Sequence, residues 1–237
     1  MVVDLFATYL KPLVDRGEHP RVLDIGSGKG RHMQFLAENG CDVIGLEPSA
    51  EFRTESLQRL ADANVQGALF VGGRGQELPF PGESMDAALA MAVFHYDTWA
   101  DAEKYMAEAA RVLKQGGVLA LVVRSINDNE EERRDIKEQA DQRRDNYKGR
   151  TAVDLYDDNG NAVKPGDKEI IRHYFTEEEI RQLAGDNEFE LLGDIAERPR
   201  NVREERGQPD KIDPATGNPR VMQTYRVILR KKSSAEG

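Results

Sequence analysis

The sequence predicts a doubly wound α/β fold with a mostly parallel sheet. Three observations favour this class: short strands alternate with helices, the strands are apolar on both faces, and a glycine cluster joins the first strand directly to a helix. A strand that is apolar on both faces is covered by helices on each side, as in parallel sheets. Because 237 residues are enough for one well-buried core, we expect a single domain over residues 1–237.

Strands and helices alternate through the first half of the chain. The strands are predicted at residues 21–25, 43–46, 68–71, 85–91 and 117–123. The intervening helices are predicted through Met33 and Leu36, through Leu57 and Leu60, and over residues 101–113. Another helix is predicted before the first strand from apolar residues at helical spacing, which are Leu5, Phe6, Tyr9, Leu10 and Leu13.

The alternation breaks after the fifth strand, where residues 127–172 predict an inserted cap. Residues 130–144 are dense in charge, which suits a solvated surface helix. Residues 151–164 alternate around Asn159 and Gly160, a dipeptide that fits a two-residue hairpin turn. Because a long connection in a compact domain is usually a lid or a binding loop, we expect this charged helix and β-hairpin to cover the site.

The last part of the chain predicts a return to regular structure. Thr176 and Glu179 form a capping box that begins a helix. Strands are predicted at residues 189–195 and 221–229, and residues 231–237 are expected to be a disordered tail.

Composition restricts the compartment and the partners. The net charge of −10 disfavours a nucleic-acid partner, because phosphate binding depends on Lys and Arg. A single cysteine, Cys41, provides neither a disulfide framework nor a zinc cluster, so we expect no metal site. The longest apolar runs, such as residues 118–123, are too short to span a membrane, and the N-terminus has no signal-like core. We expect a cytoplasmic protein without membrane contact, and the oligomeric state stays open.

The segment of residues 22–31 carries the chemistry. Asp24 precedes a cluster of closely spaced glycines, which lets a ligand approach bare backbone at a helix N-terminus. A phosphate-binding P-loop requires Lys followed by Ser or Thr after a longer gap, and a nicotinamide dinucleotide fingerprint has its third glycine three positions after the second. Here Gly30 follows Gly28 by two positions. A strand-to-helix turn that uses glycine only for its geometry is the simplest alternative.

Glu47 is placed at the end of the second strand, about 20 residues beyond the glycines, where an acid accepts hydrogen bonds from ribose hydroxyls. Taken alone, an acid at a strand end is more often a helix cap or a solvated residue. Two later blocks add to the pattern: Leu78-Pro79-Phe80, which leads to the fourth strand, and residues 111–117, where a glycine pair is predicted to end a helix.

Together these blocks, over roughly residues 20–124, resemble the class I S-adenosylmethionine-dependent methyltransferases. They are most similar to the small-molecule group that includes quinone-methylating enzymes, known as methyltransferase type 11. The resemblance implies a Rossmann-like, seven-stranded sheet whose last strand is antiparallel, with S-adenosylmethionine across the carboxyl ends of the strands and S-adenosylhomocysteine as product. It implies cofactor contacts from Asp24, Gly26, Ser27, Gly28, Gly30, Glu47, Gly75, Gln76, Ala90 and Met91. Many members have an Asp that holds the adenine amino group where this chain has Arg74, so here Gln76 or local backbone is expected to make that contact.

The resemblance also implies which residues approach the methyl acceptor. His95 and Tyr96 follow the fourth strand, and they either serve as a general base, orient a nucleophile, or pack the pocket. A sulfonium already activates its methyl group, so in-line alignment of nucleophile, methyl and sulfur is sufficient. Residues 197–220 join the last two strands on the cofactor's side, and their arginines favour a small anionic or polar acceptor. These arginines are Arg198, Arg200, Arg203 and Arg206.

Two alternatives from other classes remain open at this point. A nicotinamide-dependent oxidoreductase uses a similar glycine turn and ribose-binding acid, although the glycine spacing and Leu78-Pro79-Phe80 argue against it. A regulator that binds S-adenosylmethionine without turnover has the same motifs, because no indispensable catalytic residue exists whose absence would reveal it.

Overall fold

The computed structural model of the chain confirms the α/β class. It describes residues 1–66, 68–125, 133–134, 151–154, 171–200 and 222–233. Within these residues, eight strands form one mixed sheet with helices against both faces, and three short strands form a second sheet.

The strands, in chain order, are β1 (Arg21–Ile25), β2 (Asp42–Leu46), β3 (Ala68–Val71), β4 (Met85–Met91), β5 (Leu113–Arg124), β6 (Arg133–Arg134), β7 (Thr151–Asp154), β8 (Ile171–His173), β9 (Phe189–Leu191), β10 (Ala196–Arg200) and β11 (Met222–Lys231). The helices are α1 (Val2–Leu5), a π-helical stretch (Phe6–Leu10), α2 (Lys11–Val14), α3 (Arg31–Glu38), α4 (Ala50–Asp62), a 3₁₀ helix (Phe94–Tyr96), α5 (Trp99–Val112) and α6 (Glu177–Asp186). Strands β1, β3 and β4 have the predicted bounds.

The order of the main sheet is β10-β11-β5-β4-β1-β2-β3, with β9 also paired to β11. Strand β1 pairs in parallel with both β2 and β4. From β1 the chain adds β2 and β3 on one side, and it then crosses to the other side of β1 to form β4. In an open α/β sheet this reversal leaves a crevice at the carboxyl ends of the strands, where ligands bind. The topology therefore puts the candidate site beyond β1 and β4.

The core has two apolar layers, one on each face of the sheet. Val22 and Leu23 are adjacent on β1, are both fully buried, and belong to different apolar clusters. Successive side chains of a strand point to opposite faces, which explains the division. Helices α5 and α6 cover the Leu23 side, and the N-terminal helices with α3 cover the Val22 side.

The N-terminal helix forms as expected, but with a local change of type. Residues Phe6–Leu10 are π-helical, and the N–H of Lys11 donates to the carbonyl oxygen of Phe6. Pro12 has no N–H to offer the turn before it, which favours such an irregular turn.

The predicted end of the helix before the fifth strand is wrong. Helix α5 ends at Val112, and Leu113 is already extended at φ −71° and ψ 137°, where it pairs with Met85. The glycines lie further along, within β5, where Gly116 has φ +74° and the register against β4 shifts between Leu113 and Val118. Pairing with β4 ends the helix before the glycines are reached.

The predicted sixth strand is split into two. Strands β9 and β10 both pair antiparallel with β11, on either side of a break at residues 192–195. Gly193 has φ +91°, which interrupts the extended backbone. In the part of the chain that the structure describes, the main sheet therefore has eight strands in place of seven, while β11 runs antiparallel to β5 as the family resemblance implies.

Within the predicted cap, the structure describes only β6, β7 and β8. The predicted charged helix is wrong at Arg133–Arg134, which pair antiparallel with β7 as a strand. A two-residue turn at Asn159 and Gly160 would place Val153 opposite Gly166, but Val153 lies opposite Ile171, which corresponds to a longer connection. The turn itself lies outside the described residues.

The C-terminal segments also differ from expectation. Lys231 was assigned to a disordered tail, but it ends β11, and its buried ammonium donates to the carbonyl oxygen of Leu113 at 2.8 Å. Part of the predicted loop 197–220 is likewise strand, because β10 extends to Arg200. The predicted capping box is confirmed: Thr176 and Glu179 exchange hydrogen bonds at the start of α6.

Candidate active site

The glycine turn forms the centre of the site, at the carboxyl end of β1. Gly26, Gly28 and Gly30 have φ of +67°, +52° and +72°, a left-handed conformation that L side chains rarely adopt. The N–H of Gly26 donates to the carbonyl oxygen of Leu46 at 2.7 Å, which joins the turn to the end of β2. Helix α3 begins directly after the turn, at Arg31.

The three glycines have different surroundings. A Cβ at Gly30 would lie 1.9 Å from Ser56 Oγ, and one at Gly26 would lie 2.5 Å from a Val93 methyl group. A Cβ at Gly28 would have no described heavy atom within 4 Å. Gly26 and Gly30 therefore permit close packing, whereas Gly28 borders open space at the edge of the sheet.

Glu47 follows β2 and reaches back to this turn. Its Oε2 accepts the N–H of Gly28 at 3.0 Å, and its Oε1 accepts the N–H of Ser49 at 2.8 Å. The side chain of Arg53 holds the Glu47 carbonyl oxygen at 2.6 Å. These contacts fix a carboxylate beside the open space at Gly28.

Asp24 is the buried acid of the turn. Its side chain is 1% exposed, and neither carboxylate oxygen has a hydrogen-bond partner among the described residues. Burial raises the pKa of Asp24 to about 7, with a smaller contribution from Glu47, while Arg31 acts in the opposite direction. His32 Nδ1 lies 4.0 Å from Asp24 Oδ2, too far for a hydrogen bond. Ser27, next to the turn, is also buried.

Gly75 and Gln76 lie in the loop that follows β3. A Cβ at Gly75 would lie 2.5 Å from the ring of Tyr105, so the loop packs closely on helix α5. Gln76 Nε2 lies 3.4 Å from Asp97 Oδ2 and donates to it. The Tyr105 hydroxyl donates to the same oxygen at 2.5 Å. Sequence reasoning missed Asp97 and Tyr105, because only the fold brings them to this loop.

Two of the sequence blocks meet in space. The N–H of Leu78 donates to Glu108 at 2.7 Å, and the Arg111 guanidinium donates to the carbonyl oxygens of Leu78 and Phe80 at 2.9 and 2.8 Å. The hydrogen bond from Arg111 also lowers the pKa of Glu108 below its ordinary value. The Leu78-Pro79-Phe80 block is therefore held by the last turns of α5 and serves to position the loop before it.

Strand β4 ends at the crevice with an abrupt change of direction. Ala90 is fully buried, and Met91, the last strand residue, is partly buried. Ala92 has φ +66°, a conformation that costs a non-glycine residue about 1–2 kcal/mol. The turn carries the chain directly from β4 to Val93, which packs against Gly26. No sequence signal indicated this strained turn, because alanine is rare at positive φ.

His95 and Tyr96 lie in the 3₁₀ helix beyond this turn. Their rings stack with centroids 4.7 Å apart, and His95 is fully buried while Tyr96 is 39% exposed. Strand β8 of the second sheet lies against this 3₁₀ helix. His173, at the end of β8, is buried, with its ring 5.4 Å from that of Trp99. The inserted segment therefore reaches the side of the crevice where His95 and Tyr96 lie.

Polar residues that the sequence analysis missed lie at the carboxyl end of β5. Arg124 is 7% exposed and donates to the Tyr174 hydroxyl at 3.0 Å. The next residue, Ser125, is fully buried, and its hydroxyl donates to Glu197. Of the four predicted acceptor-binding arginines, only the side chain of Arg198 is described; it is exposed on β10. Those of Arg200, Arg203 and Arg206 lie outside the described residues.

The predicted cofactor residues are brought together by the fold. They lie at the carboxyl ends of β1, β2 and β4 or in the loop after β3, and they are Asp24, Gly26, Ser27, Gly28, Gly30, Glu47, Gly75, Gln76, Ala90 and Met91. Within the described ranges, no three His, Cys, Asp or Glu side chains are grouped as a metal would require. No helix in the described part of the chain is both long and apolar enough to cross a bilayer.

Comparison with known proteins gives matches over the same region. Residues 23–121 match the model of the family described as "Methyltransferase domain". An uncharacterized methyltransferase of Mycobacterium tuberculosis is 37% identical over 102 residues, which are 43% of this chain and 39% of that protein. The chain thus spans about two fifths of the length of this curated relative.

Solved structures share the fold over nearly the whole chain. A SAM-dependent methyltransferase from Methanosarcina mazei has a TM-score of 0.63 at 22% identity, covering 94% of this chain and 98% of that one. The 1,6-didemethyltoxoflavin-N1-methyltransferase of Burkholderia thailandensis, solved with bound 1,6-didemethyltoxoflavin and S-adenosylhomocysteine, has a TM-score of 0.57 at 16% identity, covering 97% of this chain and 82% of that one. At these identities, the likeness establishes the Rossmann-like fold.

Proposed function

We propose that this chain, which carries a methyltransferase domain at residues 23–121, binds S-adenosylmethionine and transfers its methyl group to a small acceptor. One observation carries the cofactor assignment: the Glu47 carboxylate is held beside Gly28, and a Cβ at Gly28 would meet no described atom within 4 Å. A nucleoside therefore has both an open backbone surface and an acid for its ribose hydroxyls.

The buried acid of the turn also fits this cofactor. Asp24 has two carboxylate oxygens without described partners, close to the N-terminus of α3. A buried acceptor without a partner is costly, and a cationic or hydrogen-bonding group of a ligand would remove that cost. In the bound state we expect Glu47 to hold the ribose, the glycine turn to contact the methionine part, and the loop at Gly75 and Gln76 to border adenine.

S-adenosylmethionine supplies a methyl group that its sulfonium already activates. The chain's own contribution is then to align the acceptor and to exclude water. Tyr96 is exposed in the 3₁₀ helix that follows β4 and is the residue we place against the acceptor, with the His95 ring stacked on it. In this arrangement His95 positions Tyr96, and a direct proton transfer from the acceptor to His95 would require the buried ring to become accessible.

The inserted residues 127–172 are proposed to cap the acceptor. Strand β8 already lies against the 3₁₀ helix that carries Tyr96, which supports a cap on this side of the crevice. Arg124 and Ser125, at the carboxyl end of β5, add polar groups at the same edge. We infer a small polar or anionic acceptor, and the net charge of −10 supports a small molecule over a nucleic acid.

A methyl-transfer screen tests the proposal. Purified protein is incubated with S-adenosylmethionine labelled in its methyl group and with pools of small anionic and polar compounds, and labelled product is separated from cofactor. Transfer to one pool, lost in the Glu47→Ala variant, supports an enzyme. Cofactor binding with no transfer to any pool would favour the regulator, and hydride exchange with a nicotinamide dinucleotide would favour the oxidoreductase.

A further inference from the structure

We propose that Asp97 accepts a hydrogen bond from the amino group of the cofactor's adenine, and that it thereby selects adenine over other bases. This inference rests on the proposed function, since it concerns the base of the same bound nucleoside. Asp97 lies six residues beyond the end of β4, between the 3₁₀ helix and α5.

The carboxylate of Asp97 is the meeting point of three side chains. Its Oδ2 accepts the Tyr105 hydroxyl and the amide of Gln76, the latter at 3.4 Å. Its Oδ1 lies 4.0 Å from Arg74 Nη1. Two of these side chains belong to the loop after β3, which we propose borders adenine, and one belongs to α5, so contacts from two elements hold the acid next to that loop.

Packing confirms where this carboxylate lies relative to the glycine turn. The hydroxyl of Tyr105 donates to Asp97, and the ring of Tyr105 packs against Gly75, where it leaves no space for a Cβ. A Cβ at Gly75 would also lie 3.0 Å from a methyl group of Ile25, which is the last residue of β1. Asp97 is thus linked through Tyr105 and Gly75 to the strand end from which the glycine turn begins.

The two oxygens of Asp97 differ in what they can still accept. Oδ2 already has two donors, whereas the 4.0 Å separation between Oδ1 and Arg74 is too long for a hydrogen bond. Arg74 is 63% exposed, so water screens its attraction and the side chain can move aside. A carboxylate oxygen has room for further donors, and adenine offers two N–H groups on its exocyclic nitrogen.

The neighbouring side chains are less suited to this contact. Arg74 has no acceptor. Gln76 directs its amide to Asp97, and its Oε1 is buried without a described hydrogen-bond partner, so a base could reach that oxygen only after the loop had moved, whereas the Asp97 side chain is already 23% exposed. Burial and the adjacent Asp97 raise the pKa of Tyr105 above its ordinary value, so the phenol stays protonated and continues to donate. Gln76 and Tyr105 therefore position Asp97 and leave it as the acceptor for adenine.

A pair of ligands that differ only at the base tests this proposal. S-adenosylhomocysteine carries the amino group, and S-inosylhomocysteine carries an oxygen in its place, which a carboxylate repels. We expect the protein to prefer S-adenosylhomocysteine by at least about tenfold in Kd, because a site that hydrogen-bonds one group rejects an analogue lacking it. Equal affinity of the unaltered protein for the two ligands would overturn the proposal without any variant.

Asp97→Asn then assigns the preference to a residue. An amide can donate to the oxygen of S-inosylhomocysteine, so this variant should narrow the preference to within about threefold, mainly by losing affinity for S-adenosylhomocysteine. Glu77→Gln is the matched control, since it removes a negative charge from an exposed residue in the loop after β3, next to Gln76; its preference should equal that of the unaltered protein. Tyr105→Phe removes one donor to Asp97 and should weaken binding while keeping the preference.

The outcomes separate this proposal from the cofactor assignment. Asp97→Asn protein that is folded by circular dichroism and retains the full preference would contradict the role of Asp97. If Asp97→Asn does not fold, two other variants decide. Full preference for S-adenosylhomocysteine in Asp97→Ser would contradict the role of Asp97. Loss of that preference in Tyr105→Phe would also contradict it. Failure of the unaltered protein to bind either ligand would instead contradict the proposed function.

Discussion

The Glu47 carboxylate accepts a hydrogen bond from the backbone N–H of Gly28, and the two groups are 3.0 Å apart at the carboxyl ends of neighbouring strands. The contact keeps an acid in a fixed position beside the backbone of Gly28. A group that is already in position loses little conformational freedom on binding, which favours affinity. The relationship of these two residues is the basis of the cofactor assignment and of the first two predictions.

A side chain at Gly28 is expected to abolish cofactor binding. Gly28→Val would extend a branched side chain into the open space beside Glu47, where the cofactor meets the backbone, and S-adenosylhomocysteine binding measured by calorimetry should be lost. The substitution also strains a backbone at φ +52°. Gly17→Val controls for that strain, since Gly17 has φ +81°, no described atom near its Cβ position, and no place in the site. Equal loss of binding in both variants would assign the effect to misfolding.

Removal of the Glu47 carboxylate is expected to weaken the cofactor. Glu47→Ala removes the proposed acceptor of the two ribose hydroxyls, and each charge-assisted hydrogen bond contributes about 1.5–3 kcal/mol. The Kd for S-adenosylhomocysteine should therefore rise on the order of tenfold or more. Glu51→Ala, at an exposed position in the first turn of α4, is the control and should leave the Kd unchanged. A Glu47→Ala protein within twofold of the unaltered Kd would show that another residue holds the ribose.

Asp24 predicts a pH dependence of stability for the protein without ligand. Its pKa is about 7 in the folded protein and 3.8 ordinarily, so the folded state holds this proton more tightly than the unfolded state. The resulting stability is present below pH 4 and is lost as the pH rises toward 7. Between pH 5 and pH 8 the loss from this group is on the order of 2 kcal/mol. Asp24→Asn should remove that component in urea denaturation, and an unchanged pH dependence would contradict the assignment.

His95→Asn separates a positioning role from a structural one. Since His95 is buried beneath the exposed Tyr96, the variant should reduce turnover while leaving the Kd for S-adenosylhomocysteine intact, once the screen has identified an acceptor. Tyr96→Phe keeps the ring stack and removes only the hydroxyl, so it reports whether that oxygen contacts the acceptor. If His95→Asn lowers cofactor affinity and turnover equally, the residue supports the pocket as a whole.

The inserted cap predicts a separation of cofactor binding from turnover. Replacement of residues 151–164 by a short Gly-Ser link should spare S-adenosylhomocysteine binding, because the glycine turn and Glu47 lie outside that segment, within residues 23–121 that match the methyltransferase family model. Acceptor turnover should be lost. Turnover with an unchanged acceptor KM would show that the cap has no part in acceptor binding.

The parts of the fold that depend on local pattern could be predicted from the sequence. Strands β1, β3 and β4 are short apolar runs with clear boundaries, and the capping box of Thr176 lies within four residues. The glycine turn could be located because its conformation requires glycine at every second position, which is at residues 26, 28 and 30. In each case, residues close together in the sequence are sufficient to determine the local conformation.

The remaining features depend on contacts between distant residues. Helix α5 ends early because Leu113 pairs with Met85, and Val153 takes its register from Ile171. Asp97 became a candidate only when the fold brought Gln76, 21 positions away, against it. Local sequence patterns, such as the alternation around Asn159 and Gly160, could not specify these partners, because pairing with distant residues overrides local preference.

Titration calorimetry with S-adenosylhomocysteine and with NAD, each added separately to the purified chain, tests the central claim most directly. We predict a Kd in the micromolar range for S-adenosylhomocysteine and no comparable affinity for NAD, because the open backbone at Gly28 and the Glu47 carboxylate fit the nucleoside while the glycine spacing differs from the dinucleotide fingerprint. Binding of NAD without binding of S-adenosylhomocysteine would contradict the account.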